Sequence, residues 1–103
     1  MKIIWSEFAE IQLDEIFEYY KKNANINVAK KLVKGIISEP DKLIKSPLIG
    51  QKELFLKHRE IEYRYLIFRN YKLIYSVDFE KEFIKIADVF DTRQNPIKLK
   101  RNK

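Results

Sequence analysis

The chain has 103 residues and a formal net charge of +6, from 21 Lys and Arg against 15 Asp and Glu. One domain typically uses ~100–200 residues, so there is room for a single core, and 46% hydrophobic residues exclude wholesale disorder. Absent cysteine and a single His exclude disulfides and thiolate or His-rich metal sites, so no metal or cofactor is expected; no apolar run approaches the ~20 residues of a membrane span, and residues 1–20 lack a signal-peptide cleavage pattern, giving the expectation of a soluble cytoplasmic protein.

Lys2 to Trp5 are short, apolar and β-prone, and they stop at Ser6, a good helix N-cap. Glu7 and Glu10 then put negative charge where the helix dipole favours it, and Ala9, Leu13, Ile16, Phe17 and Tyr20 line one stripe. This predicts a strand followed by a helix from about Ser6 to Lys22. Asn23 to Asn27 form a polar connection in which Asn25 or Asn27 caps a second helix. Its stripe is Val28, Ala29, Leu32, Val33, Ile36 and Ile37, with Lys30, Lys31 and Lys34 on a solvated face. Pro40 makes the helix kink or restart near Ser38, Leu43 and Ile44 resume the stripe, and the segment ends by Ser46–Pro47. The short link between the helices implies an antiparallel hairpin.

From Gly50 onward the apolar period changes from 3.6 to two. Leu54 and Leu56 alternate, Tyr63 to Arg69 is dense in β formers, and Tyr71, Leu73, Tyr75 and Val77 alternate with Lys72, Ile74, Ser76 and Asp78. After a charged turn, Phe83 to Phe90 reads as a further strand. The expected fold class is α+β: an N-terminal strand, then an antiparallel two-helix hairpin packed on one face of a mainly antiparallel four-stranded sheet, the other face partly open. Residues 1–97 form the domain and 98–103 a basic C-terminal tail. From Thr92 onward there are five basic side chains and no acid, so nearly the whole charge surplus sits there.

Tyr63–Arg64, the strand Tyr71 to Val77 and the ending DVFDTRQNP at residues 88–96 resemble the RelE/ParE superfamily of toxins from bacterial type II toxin–antitoxin modules. The resemblance spans the chain, including the β-α-α-β-β-β order and the stop at Pro47 and Gly50. It implies a growth-inhibiting toxin, of the kind associated with plasmid stabilization, held inactive by a cognate antitoxin. RelE-like members cleave mRNA in the ribosome without a metal, whereas ParE-like members poison DNA gyrase.

For the nuclease the resemblance implies Arg64 and Arg93 as phosphate contacts and Lys52, Lys57 or His58 as base or charge stabiliser. Arginine suits the role because its planar fork meets two phosphate oxygens and keeps its charge. Nuclease members carry a Tyr or His as acid near the C-terminus, and here none follows Arg93. That departure favours the ParE-like reading, with a RelE-like ribonuclease second and a small basic nucleic-acid-binding domain third. In the protein-binding reading Lys52, Arg64, Arg93, Lys98, Lys100 and Arg101 are contact residues, and the tail is a cationic arm for RNA, DNA or an acidic partner, or a segment that an antitoxin covers. Each residue also has a structural reading: Arg64 pairs with Glu62 or Asp88, His58 is a solvated loop residue, and Trp5, Tyr63, Tyr65, Tyr71 and Tyr75 belong to core and cross-strand packing.

Overall fold

Ser6 opens the first helix as its sequence position predicts: its extended backbone and its Oγ, which accepts from the Ala9 N–H at 3.0 Å, satisfy one of the free donors of the first turn. In the computed structural model, which describes residues 1–101, strand β1 (Lys2–Trp5) leads into helix α1 (Glu7–Asn23). Asn25 rather than Asn27 caps α2 (Ile26–Ser38), accepting from Val28 N–H at 2.9 Å. Pro40 does not end the helical path but tightens it into a 3-10 turn, Glu39–Leu43. Then follow β2 (Gln51–Lys52), a 3-10 turn Leu54–Leu56, β3 (Arg64–Phe68), β4 (Tyr71–Asp78), β5 (Phe83–Asp91) and a last 3-10 turn, Pro96–Lys100.

The five strands form one sheet in the order β1-β5-β4-β3-β2. Only the β1–β5 pair is parallel. The sheet therefore has one strand more than the expected four, because Gln51 and Lys52 pair with Tyr65 and Arg64. The anticipated alternation at Leu54 and Leu56 is instead a helical turn that drops Leu56 onto the sheet.

The main core lies between the helical hairpin and one sheet face. Ala9, Leu13, Leu32 and Ile36 meet Leu66, Tyr71, Leu73, Tyr75, Ile84, Ile86 and Val89 there. Gly35 allows the close approach, since a Cβ at this position would collide with the Phe68 ring. Val28 and Ile37, predicted for the buried stripe, are exposed at the hairpin's outer side. A helix lying on a sheet buries a narrower arc than the full run of apolar residues covers.

The second sheet face is not left open throughout. Leu56 from the 3-10 turn Leu54–Leu56 and Leu99 from the last one bury Ile74 and Phe90, with Tyr63 and Tyr65 at the margin. The margins of this face remain exposed, at Lys2, Ile4 and Lys85 on one side and at Gln51 and Ile67 on the other. This changes the picture of the basic tail: Leu99 is fully buried, and Arg101 reaches the fully buried Asp88 at 3.2 Å. A leucine bordered by lysines looks soluble by composition, yet burying its side chain is worth about 1.5–3 kcal/mol. Asn102 and Lys103, the end of the predicted tail, lie outside the described residues.

Leu99→Ala should accordingly lower stability to chemical denaturation by about 2–5 kcal/mol, the range for a leucine deleted from a packed site. A change within error would mean that 96–101 detaches in solution.

Candidate functional site

Arg64 begins β3 and pairs in register with Tyr75 of β4. Its parity with Leu66 and Phe68 turns it toward the helical side, where the chain descends through residues 47–50. Nη1 donates to the carbonyls of Leu48 at 3.1 Å and Gly50 at 2.8 Å, and Nε donates to Glu62 at 3.0 Å. Tyr75 works on the same loop: its hydroxyl donates to Pro47 O at 2.8 Å and accepts from Gly50 N–H at 3.0 Å. Burial pushes the Tyr75 hydroxyl up from its ordinary value, so it stays a neutral donor. A side chain at Gly50 would meet that hydroxyl, which is why glycine stands there. Arg64 thus realises the structural pairing with Glu62, and the pairing with Asp88 does not form, because Asp88 belongs to the opposite sheet face and to Arg101.

Lys52 joins this group through the same carboxylate, with Nζ 3.3 Å from Glu62. The Lys52 hydrogen bond, ahead of Arg64, holds the Glu62 carboxyl below its usual range. Lys52 and Lys57 also line a shallow cleft of about 260 Å³ with Leu54, Ile61 and Tyr63. His58 is exposed beside Lys57 and does not line it. The turn carrying these residues is stapled to the sheet from below by the buried Glu53, which accepts from Lys72 Nζ at 2.7 Å, while that ammonium lies over the Tyr65 ring at 4.2 Å.

Arg93 belongs to a different corner. Asp91 pairs with Tyr71, four positions along β4 from the Tyr75 that faces Arg64, and β3 and β5 flank β4 on opposite sides. Four residues of strand span about 13 Å, so Arg64 and Arg93 do not converge on one phosphate. Arg93 is two-thirds exposed and is held by the neighbouring carboxylate, with Nε and Nη2 of its guanidinium donating to Asp91 at 2.6–3.1 Å. The Asp91 carboxylate also accepts from the Arg93 backbone N–H at 2.9 Å and from Asn70 Nδ2 at 3.3 Å.

The Arg93 hydrogen bonds bring the Asp91 carboxyl down to about 2, and Asp91 in turn pushes the Arg93 guanidinium above its ordinary value. Together they close one end of a cleft of about 310 Å³ between α1 and the end of β5, whose other walls include Gln12, Glu15, Tyr19 and Tyr71. Burial, and then the hydrogen bond with Tyr20, push the Tyr71 phenol well above its usual range, so it remains protonated. Asp91 as orienter of Arg93 escaped the sequence reading. The D-x-R spacing in Asp91-Thr92-Arg93 is its local signal, since a carboxylate two residues before an arginine accepts from both its backbone and its side chain.

Lys98 and Lys100 are exposed on the last 3-10 turn. Arg101 packs against the Phe8 and Phe90 rings and reaches Asp88 and Gln12. The sequence-predicted set therefore divides into Lys52 with Arg64, Lys57 with His58, Arg93 with Asp91, and the C-terminal residues.

A helical hairpin laid across a mainly antiparallel sheet, with one arginine bracing a loop and a second after the last strand, is the arrangement that the resemblance to RelE/ParE toxins implies. Residues 3–96 match the family described as the ParE toxin of type II toxin-antitoxin system, parDE, and the chain belongs to that family. Its fold matches a chain of the chromosomal ParDE TA system from P. aeruginosa, with a TM-score of 0.72 at 19% identity over 88% of this chain and 95% of that one. It also matches the YoeB/ParE toxin from Agrobacterium tumefaciens, with a TM-score of 0.54 at 15% identity over 88% and 98%. Among curated proteins none matches. As a toxin of such a module, the protein has an antitoxin as its partner. Among the described residues no helix is long and apolar enough to cross a membrane.

The Asp91–Arg93 pair sets a pH dependence. An unfolded aspartate titrates near ~3.9 and the folded one near 2, so the pair's contribution to stability is full above about pH 4 and lost as the pH falls toward 2. The difference in unfolding free energy between the native protein and Asp91→Asn should shrink across that window, and a constant difference from pH 6 to pH 2 would contradict it.

Proposed function

We propose that this toxin inhibits growth by binding DNA gyrase, as the ParE-like branch of the superfamily does, and performs no RNA cleavage. The observation that carries the reading is the separation of the two arginines. Cleavage through a 2′-OH requires cations gathered on one phosphate together with a base and an acid. Here Arg64 directs three of its five N–H groups to Glu62 and to two backbone carbonyls, while Arg93 stands about 13 Å further along the sheet. The family that matches residues 3–96 is that of the ParE toxins of parDE modules, which supports the same reading.

In this reading Arg64 positions the 47–52 loop, Arg93 is a target contact held in place by Asp91, and Lys52 and Lys57 contribute charge at the loop's rim. The cognate antitoxin neutralises the toxin by laying a helix or strand over its exposed surface and folding as it does so.

Expression from a tight promoter, with DNA-damage signalling and mRNA integrity followed in parallel, tests the target. Induced DNA breaks with intact mRNA are the expected result; rapid codon-linked mRNA cleavage would overturn the proposal. Arg93→Ala should abolish growth inhibition while keeping the native thermal transition, and full toxicity in that variant would remove Arg93 from the contact surface.

A further inference from the structure

Two basic segments far apart in sequence meet on the second face of the sheet. Leu56 and Leu99 enter the same apolar cluster, and Arg59 Nη2 donates to the Lys100 carbonyl at 3.0 Å. That bond sets the turn at residues 57–59 alongside the turn at 98–100. Within 57–59 and 98–101 the one apolar side chain, Leu99, is buried, so these segments show solvent a surface built from Lys57, His58, Arg59, Lys98 and Lys100. Lys57, Lys98 and Lys100 make no ion pair among the described residues. Nearby acids are largely committed elsewhere: Asp88 answers Arg101, Glu53 holds Lys72, and Glu62 holds Lys52 and Arg64, leaving Glu60 at the border.

We propose that this composite face binds the phosphate backbone of duplex DNA, independently of which enzyme the toxin inhibits. The physical ground is that the two segments themselves present no exposed apolar side chain. Charged residues are depleted at the middle of packed protein interfaces, whereas a backbone contact needs only exposed cations at phosphate spacing. Exposed apolar side chains, Leu54, Phe55, Ile61 and Ile97, border the face, which makes an acidic protein segment the competing occupant. Tyr63 and Tyr65 are committed to the apolar cluster, so contact is through phosphates and blind to sequence. Three cations, Lys57, Lys98 and Lys100, release about one counterion each, giving a slope of about −3 for log K against log salt.

The test is fluorescence anisotropy of the purified full chain with a labelled 20-base-pair duplex of arbitrary sequence, titrated over a range of salt. The triple variant K57E/K98E/K100E should lose at least tenfold in affinity at low salt and most of the slope. K30E/K31E/K34E, with the same charge change on the helical hairpin, should keep most of both. Thermal melting establishes that each variant folds, and single K57E and K98E substitutions replace the triple if it does not. Absent binding at low salt, equal losses in the two triples, or binding of poly-glutamate but not of DNA would each overturn the proposal. Growth inhibition is not the readout, so failure here is distinguishable from failure of the gyrase reading.

Discussion

The arrangement depends on one irregularity in β5. The ladder pairs Ile74 with Asp88 and Tyr75 with Ile86, which leaves Ala87 without a partner on β4. Side chains alternate strictly along a strand, so one extra residue reverses the faces of everything beyond it. Ile84 and Ile86 point to the helices before the bulge, and Val89 does after it, while Asp88 and Phe90 turn to the opposite face. Ser6 holds the bulge from the side: its N–H donates to Ile86 O at 2.9 Å and its hydroxyl to Ala87 O at 3.2 Å. The residue that starts α1 therefore also fixes the register of the last strand.

Two results follow from that reversal. Phe90 becomes the floor of a second apolar cluster, which recruits Leu56 and Leu99 and so pins both short 3-10 turns. Asp88 becomes a buried carboxylate whose charge is met by Arg101, at the cost of bringing a cationic end segment back onto the domain. Without the bulge, Asp88 would face the helical core, where no cation among the helices' buried residues awaits it.

The arginines separate along the same logic. Arg64 is on the helical side, where five carbonyl, carboxylate and hydroxyl groups of the 47–62 segment and Tyr75 converge, and it acts as a brace. Arg93 follows the strand end and is held by Asp91 at the mouth of a cleft, where its guanidinium stays exposed and oriented. An oriented, largely exposed arginine is suited to meeting a partner, because little conformational entropy is left to lose on contact.

The sequence by itself determined the order of elements, the helix cap at Ser6 and a second at Asn25 or Asn27, the helical hairpin, the meander and the family, since each rests on short-range chemistry: capping, 3.6 and 2.0 periodicity, and the DVFDTRQNP ending. Arg93 at the close of the last strand was legible for the same reason. What the tertiary structure alone decided was long-range: the two-residue β2 strand, the reversal at Ala87, the inward turn of Leu99, and the meeting of the 57–59 and 98–101 segments. Periodicity cannot reveal an unpaired residue that only a neighbouring strand defines, and composition cannot show that a leucine among lysines has an apolar floor to enter. The charge surplus was visible as a count from the start. Its shape as one surface, joined across some forty residues of sequence by the Arg59–Lys100 hydrogen bond, exists only once the sheet has brought its two halves together.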